Sequence, residues 1–530
     1  MDMESSTKIK INNEYITVNL NDPLEWKYIA EGHKHAVFSL QSTKLFLSEQ
    51  TKHQRERTNI VLRIPKSNTR GGVDCTNRND NSSICDINVN KEYLENAIIK
   101  CVGEQYIDKP HKVILSYNFV CNLAKEAMKI IPKSRIDSWK ILHEYEAKCF
   151  SDGTNNTTTT CVIHATIQID YRVLVLNNNN KLLSSVEIKP KAGYVACTPL
   201  VHPKHRYIKM YSTRYSIIQR LLKHNLIKRG WVMMTDNNNN ISSSRYCPLD
   251  LYSNNIHRMK CSIQSLFNNP QNNLKIWYNH NNSNSNNNKD RNNSNEKILI
   301  QEIMLQILKQ EPILQTIQKL QECNDFLDVD GIILVYKRLL LLCNYNYNLL
   351  ESYCDDYKNM NFICFTNMND YKNKTIPSCP ALIELLDKVT NFKEKYMKIN
   401  TTTTTSCKEL WITQNQSMLD YEYNQCINKI IPKLNKQACV FLIQHWLLSL
   451  TMSDISLFIT ISQHHSENNQ NNKLQDANGS NGFIALKEKE KENDDINNCF
   501  EYFIKIIDYD PKPSSKLHKR EEMENLIQLL

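Results

Sequence analysis

The sequence predicts an α+β protein of two lobes, a β-rich N-terminal lobe and a larger, mostly helical C-terminal lobe. Two observations support this prediction. Up to about residue 190, short apolar segments end at turn-forming or charged residues, as strands do. From about residue 215 onward, apolar residues recur at helical spacing over longer segments. A lobe of strands followed by a lobe of helices predicts a cleft between them.

The N-terminal region contains most of the predicted strands. They cover Tyr15–Leu20, Trp26–Ile29, Ala36–Leu40, Asn59–Ile64 and Lys112–Leu115, with a helix around Lys91–Cys101. Tyr171–Leu176 and Leu182–Ile188 flank an asparagine tract, which predicts a hairpin with an expanded tip.

The C-terminal region contains the predicted helices. They cover Ile217–Leu222, Lys297–Lys309, Gly331–Cys343, Ala381–Tyr396 and Ala438–Leu450. The strongest apolar run, Val440–Ile461, contains Gln444, His445 and Asp454. A carboxylate is costly inside a bilayer, so we predict a buried helix that leads into a strand rather than a membrane span.

Polar low-complexity tracts divide the 530 residues. Such tracts cannot bury enough apolar surface to offset the entropy of ordering them, so we expect surface insertions. We predict a flexible N-terminus at 1–21, an N-terminal lobe at 22–195 and a C-terminal lobe at 196–530. Asparagine-rich inserts are expected near 237–240, 281–295 and 464–495 of the C-terminal lobe.

Charge and cysteine content narrow the class of protein. The net charge of +9 suits an anionic small molecule or a weak nucleic-acid contact, and does not choose between them. The 18 cysteines contain no Cys-x-x-Cys pair and no secretory leader is visible, so we expect reduced thiols in cytoplasm or nucleus. Cys354, Cys364 and Cys379 lack histidine partners at suitable spacing, so no structural zinc is predicted.

Glycine usage excludes two common phosphate-binding loops. With ten glycines, the chain has neither Gly-x-Gly-x-x-Gly nor Gly-x-x-x-x-Gly-Lys, which excludes P-loop enzymes and ordinary protein kinases. The best candidate for a turn over nucleotide phosphates is Glu31–His35, where Gly32 lets the backbone approach and His33 or Lys34 adds charge. The alternative interpretation of this segment is an ordinary hairpin turn that binds no phosphate.

The segment Glu187-Ile188-Lys189-Pro190-Lys191-Ala192-Gly193 concentrates charge at the end of a strand. On an extended backbone Glu187, Lys189 and Lys191 share one face. Lysines there can neutralise phosphate oxygens, and the carboxylate can accept from a base or a ribose. The alternative is an exposed edge strand with solvated charges.

A second charged segment follows an apolar strand near the C-terminus. Asp508 and Asp510 share one face if that segment is extended, and one or two carboxylates suit Mg²⁺ on nucleotide phosphates. Lys512 and Lys516 follow within reach of a transferred phosphate. The alternative is a strand that ends in an acidic turn.

Together these segments resemble the inositol-pentakisphosphate 2-kinase family. Its Glu-x-Lys-Pro-Lys element is similar to residues 187–191, and further similar elements occur in the same chain order. They are Trp26–Gly32, Val61–Ile64, Ile131–Asp137, Arg245–Ser253, Pro270–Lys275, Thr451–Ser456 and Asp508–Lys512. The resemblance runs from about Trp26 to the last helix, the inserts aside, and ordered agreement of many short motifs is more specific than any one of them.

The resemblance implies a kinase-like two-lobed architecture, ATP and Mg²⁺ as cofactors, and a role for each matched residue. The implied catalytic residues are Asp454 and Lys189. Nucleotide binding is implied for Gly32, His33, Arg63, Glu187, Lys189, Phe458 and Asp508, and metal binding for Asp508 and Asp510. Substrate binding is implied for Arg135, Lys191, Lys209, Asn272, Asn273, Lys275, Lys512 and Lys516. The chain departs from the family in the histidines of the glycine turn and in Lys275, where the family often has arginine.

The expected reaction is transfer of the γ-phosphoryl group of ATP to the 2-hydroxyl of inositol 1,3,4,5,6-pentakisphosphate. The product would be inositol hexakisphosphate (phytate). We expect a monomer with a small-molecule substrate, no obligate nucleic acid and no membrane span. One alternative is a different inositol-phosphate kinase, although the Pro-x-x-x-Asp-x-Lys-x-Gly element of the multikinase family is not visible. The other is a non-catalytic scaffold protein that binds inositol phosphates or nucleic acid, although no RNP-like or helix-turn-helix pattern is visible.

Overall fold

The structure is a computed structural model that describes most of the chain. The described residues are 6–11, 14–19, 22–31, 35–40, 46–47, 60–65, 91–131, 162–172, 181–227, 243–278, 289–356, 365, 367, 369–374, 376–402, 405–464, 481–486 and 498–530.

The strands of the described residues form three antiparallel sheets. They are β1 (Ser6–Ile11), β2 (Glu14–Asn19), β3 (Trp26–Glu31), β4 (His35–Leu40), β5 (Phe46–Leu47), β6 (Ile60–Pro65), β7 (His111–Ser116), β8 (Val162–Ile169), β9 (Lys181–Ile188), β10 (Leu274–Tyr278), β11 (Ser456–His464), β12 (Asn481–Leu486) and β13 (Asn498–Ile507). The first sheet, β1-β2-β5, has three strands and includes part of the segment 1–21. The N-terminal five-stranded sheet has the order β3-β4-β6-β8-β7, and the central sheet has the order β10-β9-β11-β13-β12.

Most of the α-helices of the described residues lie in the C-terminal part of the chain. They are α1 (Ile99–Val102), α2 (Tyr117–Met128), α3 (Arg206–Lys209), α4 (Arg214–Lys223), α5 (Pro248–Leu251), α6 (Ile256–Asn268), α7 (Lys289–Gln310), α8 (Ile313–Asn324), α9 (Asp328–Leu342), α10 (Tyr347–Cys354), α11 (Pro380–Thr402), α12 (Thr405–Gln414), α13 (Gln416–Gln425), α14 (Lys436–Met452) and α15 (Lys516–Ile527). A π-helical turn, Leu94–Ile98, precedes α1, and a second one, Cys426–Ile430, follows α13. The chain is therefore an α+β protein, as the sequence predicts.

The central sheet separates two hydrophobic cores. Leu457, Ile459 and Ile461 alternate along β11 and pack with α6, α7 and α8. Phe458 points to the opposite face and packs with the core of the N-terminal sheet, which Trp277 of β10 also contacts. Successive side chains of a strand point to opposite faces, and β11 is buried on both. The sheet therefore joins the N-terminal strands to the helices.

Most predicted elements are confirmed, with ends that differ by a few residues. The apolar run Val440–Ile461 forms the end of α14 and the start of β11, and both are buried. The strand predicted at Tyr171–Leu176 is wrong at its first two residues: β8 ends at Ile169, and Tyr171 and Arg172 form a turn. Residues 173–176 lie outside the described residues. Among the described strands, β9 pairs with β10 and β11 rather than with β8.

No helix within the described ranges is long and apolar enough to cross a membrane.

Candidate functional site

Three chain segments meet at one edge of the central sheet. In the antiparallel register, Ile188 at the end of β9 lies opposite Leu457, and Ser456 at the start of β11 lies opposite Ile507 at the end of β13. The residues that follow β9, precede β11 and follow β13 therefore emerge side by side. Those residues include Lys189, Asp454 and Asp508, which the sequence predicted as functional.

Asp508 contacts one cation that follows strand β9 of the central sheet and another from the N-terminal five-stranded sheet. Its Oδ2 lies 2.8 Å from Lys189 Nζ and accepts a hydrogen bond of 3.0 Å from Ser456 Oγ. Its Oδ1 lies 3.9 Å from Nη2 of Arg63, a residue of β6 in the N-terminal sheet. Burial raises the pKa of Asp508, but Lys189 and Arg63 outweigh it and lower that pKa to about 2. Asp508 is therefore ionised at neutral pH.

Asp454 lies between two further lysines. Lys191 Nζ is 3.3 Å from its Oδ1, and Lys512 Nζ is 2.7 Å from its Oδ2. Burial opposes ionisation, yet Lys191, Lys512 and Lys189 hold the pKa of Asp454 well below its usual range. Burial and the neighbouring lysines lower the pKa of Lys191 despite the attraction of Asp454. The structure thus brings six predicted site residues into one charged cluster: Arg63, Lys189, Lys191, Asp454, Asp508 and Lys512.

Glu187 lies beside this cluster, next to an aromatic group. Its Oε2 is 3.1 Å from Lys275 Nζ, and its Oε1 is 3.0 Å from Ser456 Oγ. Phe458 lies opposite Glu187 in the sheet and stacks on Trp277, with ring centroids 5.3 Å apart. The sequence prediction missed Ser456, although it ends the matched segment Thr451–Ser456, and missed Trp277.

Two residues of the cluster have left-handed backbone conformations. The φ angles of Lys191 and Asp508 are 62° and 63°, in a region that side-chain-bearing residues seldom adopt. The expectation of one shared face along extended segments is therefore wrong at these positions, because β9 ends at Ile188 and β13 at Ile507. The left-handed turn directs Lys191 to Asp454, while Lys189 contacts Asp508.

The asparagine pair before β10 borders the same cluster. The backbone oxygen of Asn273 accepts a 2.8 Å hydrogen bond from the amide of Lys189, and its Nδ2 donates to Tyr215 Oη at 2.8 Å. Asn273 Oδ1 is buried and accepts no hydrogen bond from the residues that the structure describes. An unpaired buried acceptor is costly, so a donor from a ligand would stabilise it. Asn272 is half-buried.

The buried side chain of Gln321, in α8, fixes the backbone of residues 191–193, which follow β9. Its Oε1 accepts from the amide of Gly193 at 2.9 Å. Its Nε2 lies 3.0 Å from the carbonyl oxygen of Lys191 and 3.0 Å from that of Met452. One amide therefore ties the segment after β9 to the end of α14, two residues before Asp454. The sequence prediction gave no signal for this residue.

Gln321→Leu should destabilise the protein and weaken substrate binding. The substitution removes the partner of the Gly193 amide and of the Met452 carbonyl oxygen, at about 1–3 kcal/mol for each such group, while Tyr252 Oη still donates to the Lys191 oxygen at 3.2 Å. We expect a lower melting temperature in a thermal-unfolding assay. Gln315→Leu is the matched control on the same helix, since Gln315 bonds Asn254 at the exposed surface. Equal melting temperatures of the two variants would contradict this role of Gln321.

Lys209 lies in a second, buried charge cluster. Its ammonium contacts Asp328, and it lies 3.0 Å from Asp330 Oδ2 and 2.8 Å from Glu524 Oε2. His205, Asp330 and Glu524 have ligand atoms close enough for a metal ion, but the Lys209 ammonium already binds two of these carboxylates. The role of Lys209 in substrate binding stays a prediction.

Other predicted residues are located without a test of their roles. Lys516 begins α15, and Asp510 is half-buried after β13. Gly32, His33 and Arg135 lie outside the described residues. Their roles, and the predicted lack of zinc, stay predictions.

Asp325 is a half-buried carboxylate that contacts Tyr194, the residue after Gly193. Tyr194 Oη donates to Asp325 Oδ2 at 2.6 Å. Burial and the neighbouring Asp328 raise the pKa of Asp325 to about 7, against the opposing effects of Tyr194 and Lys209. The folded protein therefore binds a proton more tightly at this position than the unfolded chain does.

Stability should fall as the pH rises toward 7 because of Asp325. A raised carboxyl pKa stabilises the fold fully below the ordinary carboxyl range, and this stability is lost as pH rises through the folded value. Asp325→Asn does not titrate, and a pKa raised by one unit corresponds to about 1.4 kcal/mol. The variant's melting temperature relative to the wild type should be higher at pH 8 than at pH 5. The opposite order in calorimetry would refute the assignment.

These contacts are those expected of a protein that binds a phosphorylated ligand. Lysine-neutralised carboxylates at a sheet edge, with further cations beside them, are suited to a phosphorylated ligand, because lysine and arginine bind phosphate oxygens through charge-assisted hydrogen bonds. The sequence profile of the family described as inositol-pentakisphosphate 2-kinase matches residues 28–525. The chain belongs to this family.

Curated relatives with that name come from several kingdoms. A protein of Arabidopsis thaliana is 26% identical over 277 residues, which cover 49% of this chain and 52% of the relative. One of Danio rerio is 25% identical over 264 residues, 48% of this chain and 43% of the relative. One of Cryptococcus neoformans is 24% identical over 247 residues, 46% of this chain and 47% of the relative. The chain thus spans about half the length of the curated relatives it matches.

Proposed function

We propose that the chain transfers the γ-phosphoryl group of ATP to the 2-hydroxyl of inositol 1,3,4,5,6-pentakisphosphate, which gives inositol hexakisphosphate. The observation that supports this most directly is the adjacency of the two carboxylate–lysine groups, Asp454 with Lys191 and Lys512, and Asp508 with Lys189. Phosphoryl transfer needs positioning and neutralisation of phosphate charge more than covalent catalysis by the protein. The names of the relatives and the family point to the same reaction.

The nucleotide would bind on the Asp508 side of the site. Arg63 and Lys189 would contact its phosphates, and Glu187 with Phe458 would lie near the nucleoside. Gly32 and His33 would cover the phosphates from the predicted turn. The nucleotide would then lie in a cleft between an N-terminal lobe, 22–195, and a C-terminal lobe, 196–530, in a kinase-like arrangement.

Asp508 fits a Mg²⁺ ion. Its carboxylate is ionised, and Arg63 Nη2 lies no nearer to its Oδ1 than 3.9 Å, so this oxygen can accept a cation. Asp510 is the second proposed ligand. When bound, Mg²⁺ would neutralise charge on the nucleotide phosphates. Lys189 would supply a fixed positive charge beside it.

The inositol phosphate would bind on the Asp454 side of the site. A substrate with five phosphates needs several cations, and Lys191 and Lys512 are already placed beside Asp454. The further proposed contacts are Arg135, Lys209, Lys275 and Lys516, with Asn272 and Asn273.

Asp454 would orient the reacting hydroxyl and accept its proton late in the transfer. A strongly depressed pKa makes Asp454 a weak base in the ligand-free protein. When substrate phosphates share the charge of Lys191 and Lys512, the lysines stabilise the Asp454 carboxylate less, and its pKa rises. Substrate binding would thereby make Asp454 a better proton acceptor.

Asp454→Asn should lower kcat by about 10²–10⁴-fold, the usual contribution of a general base. Affinity for inositol pentakisphosphate should not fall, because the variant removes a negative charge from an anion site. Phosphorus NMR of the products with Mg-ATP measures turnover, and calorimetry measures binding. Asp250→Asn is the control, since the Asp250 side chain pairs with Arg258 and has no contact with Asp454 or its lysines among the described residues.

The outcomes separate the candidate functions. Hexakisphosphate from the wild type alone would support the reaction and the role of Asp454. Full turnover by Asp454→Asn would refute that role. Tight binding without turnover by the wild type would support a non-catalytic inositol-phosphate-binding protein, and the lack of both would refute the proposed function.

Asp508→Asn should raise the Mg²⁺ concentration needed for half-maximal activity. The substitution removes the charge that a hard cation prefers, while Lys189 stays in place. Titration of activity with Mg²⁺ at fixed ATP measures the change. Asp510→Asn in the same titration tests the second ligand. An unchanged Mg²⁺ dependence of Asp508→Asn would contradict the assignment of Asp508.

A further inference from the structure

Arg520 is a half-buried cation that forms no ion pair with any residue that the structure describes. It lies in α15, one turn after Lys516 and one turn before Glu524, so the three share a helix face. Its electrostatic neighbours are Arg214, Asp454, Glu524 and Tyr194. Among the described residues, no hydrogen bond or ion pair of Arg520 is present. Burial and Arg214 lower its pKa to about 9, so it stays protonated at neutral pH.

The acidic neighbours of Arg520 are already neutralised. Glu524 binds Arg214 Nη2 at 2.8 Å through Oε1 and Lys209 Nζ at 2.8 Å through Oε2. Asp454 binds Lys191 and Lys512 through its two oxygens. Both carboxylates therefore have cation partners already, and neither is left as a free counter-ion for Arg520.

Arg214 adds a second donor that is not used. Its Nε is buried and has no hydrogen-bond partner within the described part of the chain, although its Nη2 binds Glu524. Two neighbouring guanidinium groups repel each other, and a desolvated cation without a partner is unfavourable. A phosphate group between them would relieve both costs, since guanidinium groups match phosphate oxygens with paired hydrogen bonds.

We propose that Arg520, supported by Arg214, binds one phosphate group of the inositol polyphosphate beside Asp454. This inference rests on the proposed function and adds two residues that the family resemblance did not point to. It makes Arg520 a specificity-determining residue, because only ligands with a phosphate at one ring position can use it.

Arg520→Gln should leave the fold intact. Since Arg520 has no partner among the described residues, its removal leaves no group unpaired and relieves repulsion with Arg214. The melting temperature should be unchanged or higher. Lys337→Gln is the matched control, because it also removes one positive charge, from an exposed pair with Glu521 of the same helix at 2.7 Å.

Binding of a panel of ligands gives the decisive test. For inositol pentakisphosphate, Arg520→Gln should weaken binding by about 10- to 100-fold, as loss of a charge-assisted contact would, and Arg520→Lys by less. The tetrakisphosphates each lack one of these five phosphates. The isomer that lacks the phosphate contacted by Arg520 should bind the wild type and Arg520→Gln equally. Equal weakening for every isomer, or no more weakening than Lys337→Gln shows, would overturn the inference.

Chemical protection separates this inference from the proposed function. Phenylglyoxal should modify Arg520, and inositol pentakisphosphate or inorganic pyrophosphate should protect it, as measured by mass spectrometry. Protection without kinase turnover would retain the phosphate site and refute the proposed reaction. Turnover with Arg520 unprotected would retain the reaction and refute the phosphate site.

Discussion

The antiparallel register of β9, β11 and β13 is the constraint on which the site depends. Leu457 and Phe458 face different cores, so a shift of β11 by one residue would place each side chain in the wrong core. The hydrophobic pattern therefore fixes the register. The register in turn places the ends of β9 and β13 beside the start of β11, and so brings Lys189 to Asp508.

Charge alternation makes this crowded edge stable. Each carboxylate of the cluster lies against at least one lysine, and each lysine named there contacts a carboxylate. The left-handed backbones of Lys191 and Asp508 oppose this arrangement by about 1–3 kcal/mol each. Packing of the central sheet on both faces and the hydrogen bonds of Gln321 hold those backbones in place. The result is a site whose cations are positioned before a ligand binds.

The sequence predicts single elements here better than the relations between them. The apolar run Val440–Ile461 has a helical half and a strand half, so local periodicity suffices for α14 and β11. The pairing of β9 with β10 and β11 joins segments far apart in the chain, and no local pattern encodes it. Alternation along an extended chain predicted that Lys191 shares a face with Glu187 and Lys189. Lys191 instead has a left-handed backbone, and one such residue is enough to redirect a side chain.

Motif resemblance identified Asp454, Asp508, Lys189, Lys191 and Lys512 as candidate site residues, and the structure places them together. The resemblance could not show which of the other predicted cations can bind a phosphate, because a cation that is paired with a carboxylate is less available to an anion. Gln321 and Ser456 were missed for a similar reason: a glutamine or serine has no distinctive spacing, and its importance lies in contacts with distant backbone or carboxylate groups.

Lys209 and Arg520 show how counter-ions decide which cation can bind an anion. Lys209 contacts three carboxylates, so a phosphate would have to displace an existing partner and leave a buried charge unpaired. Arg520 has no partner to lose among the described residues, and binding of a phosphate there removes repulsion from Arg214. For cations of equal charge, the free energy of binding an anion is more favourable where no protein carboxylate competes. By this argument Arg520 is the stronger phosphate ligand of the two in the conformation described.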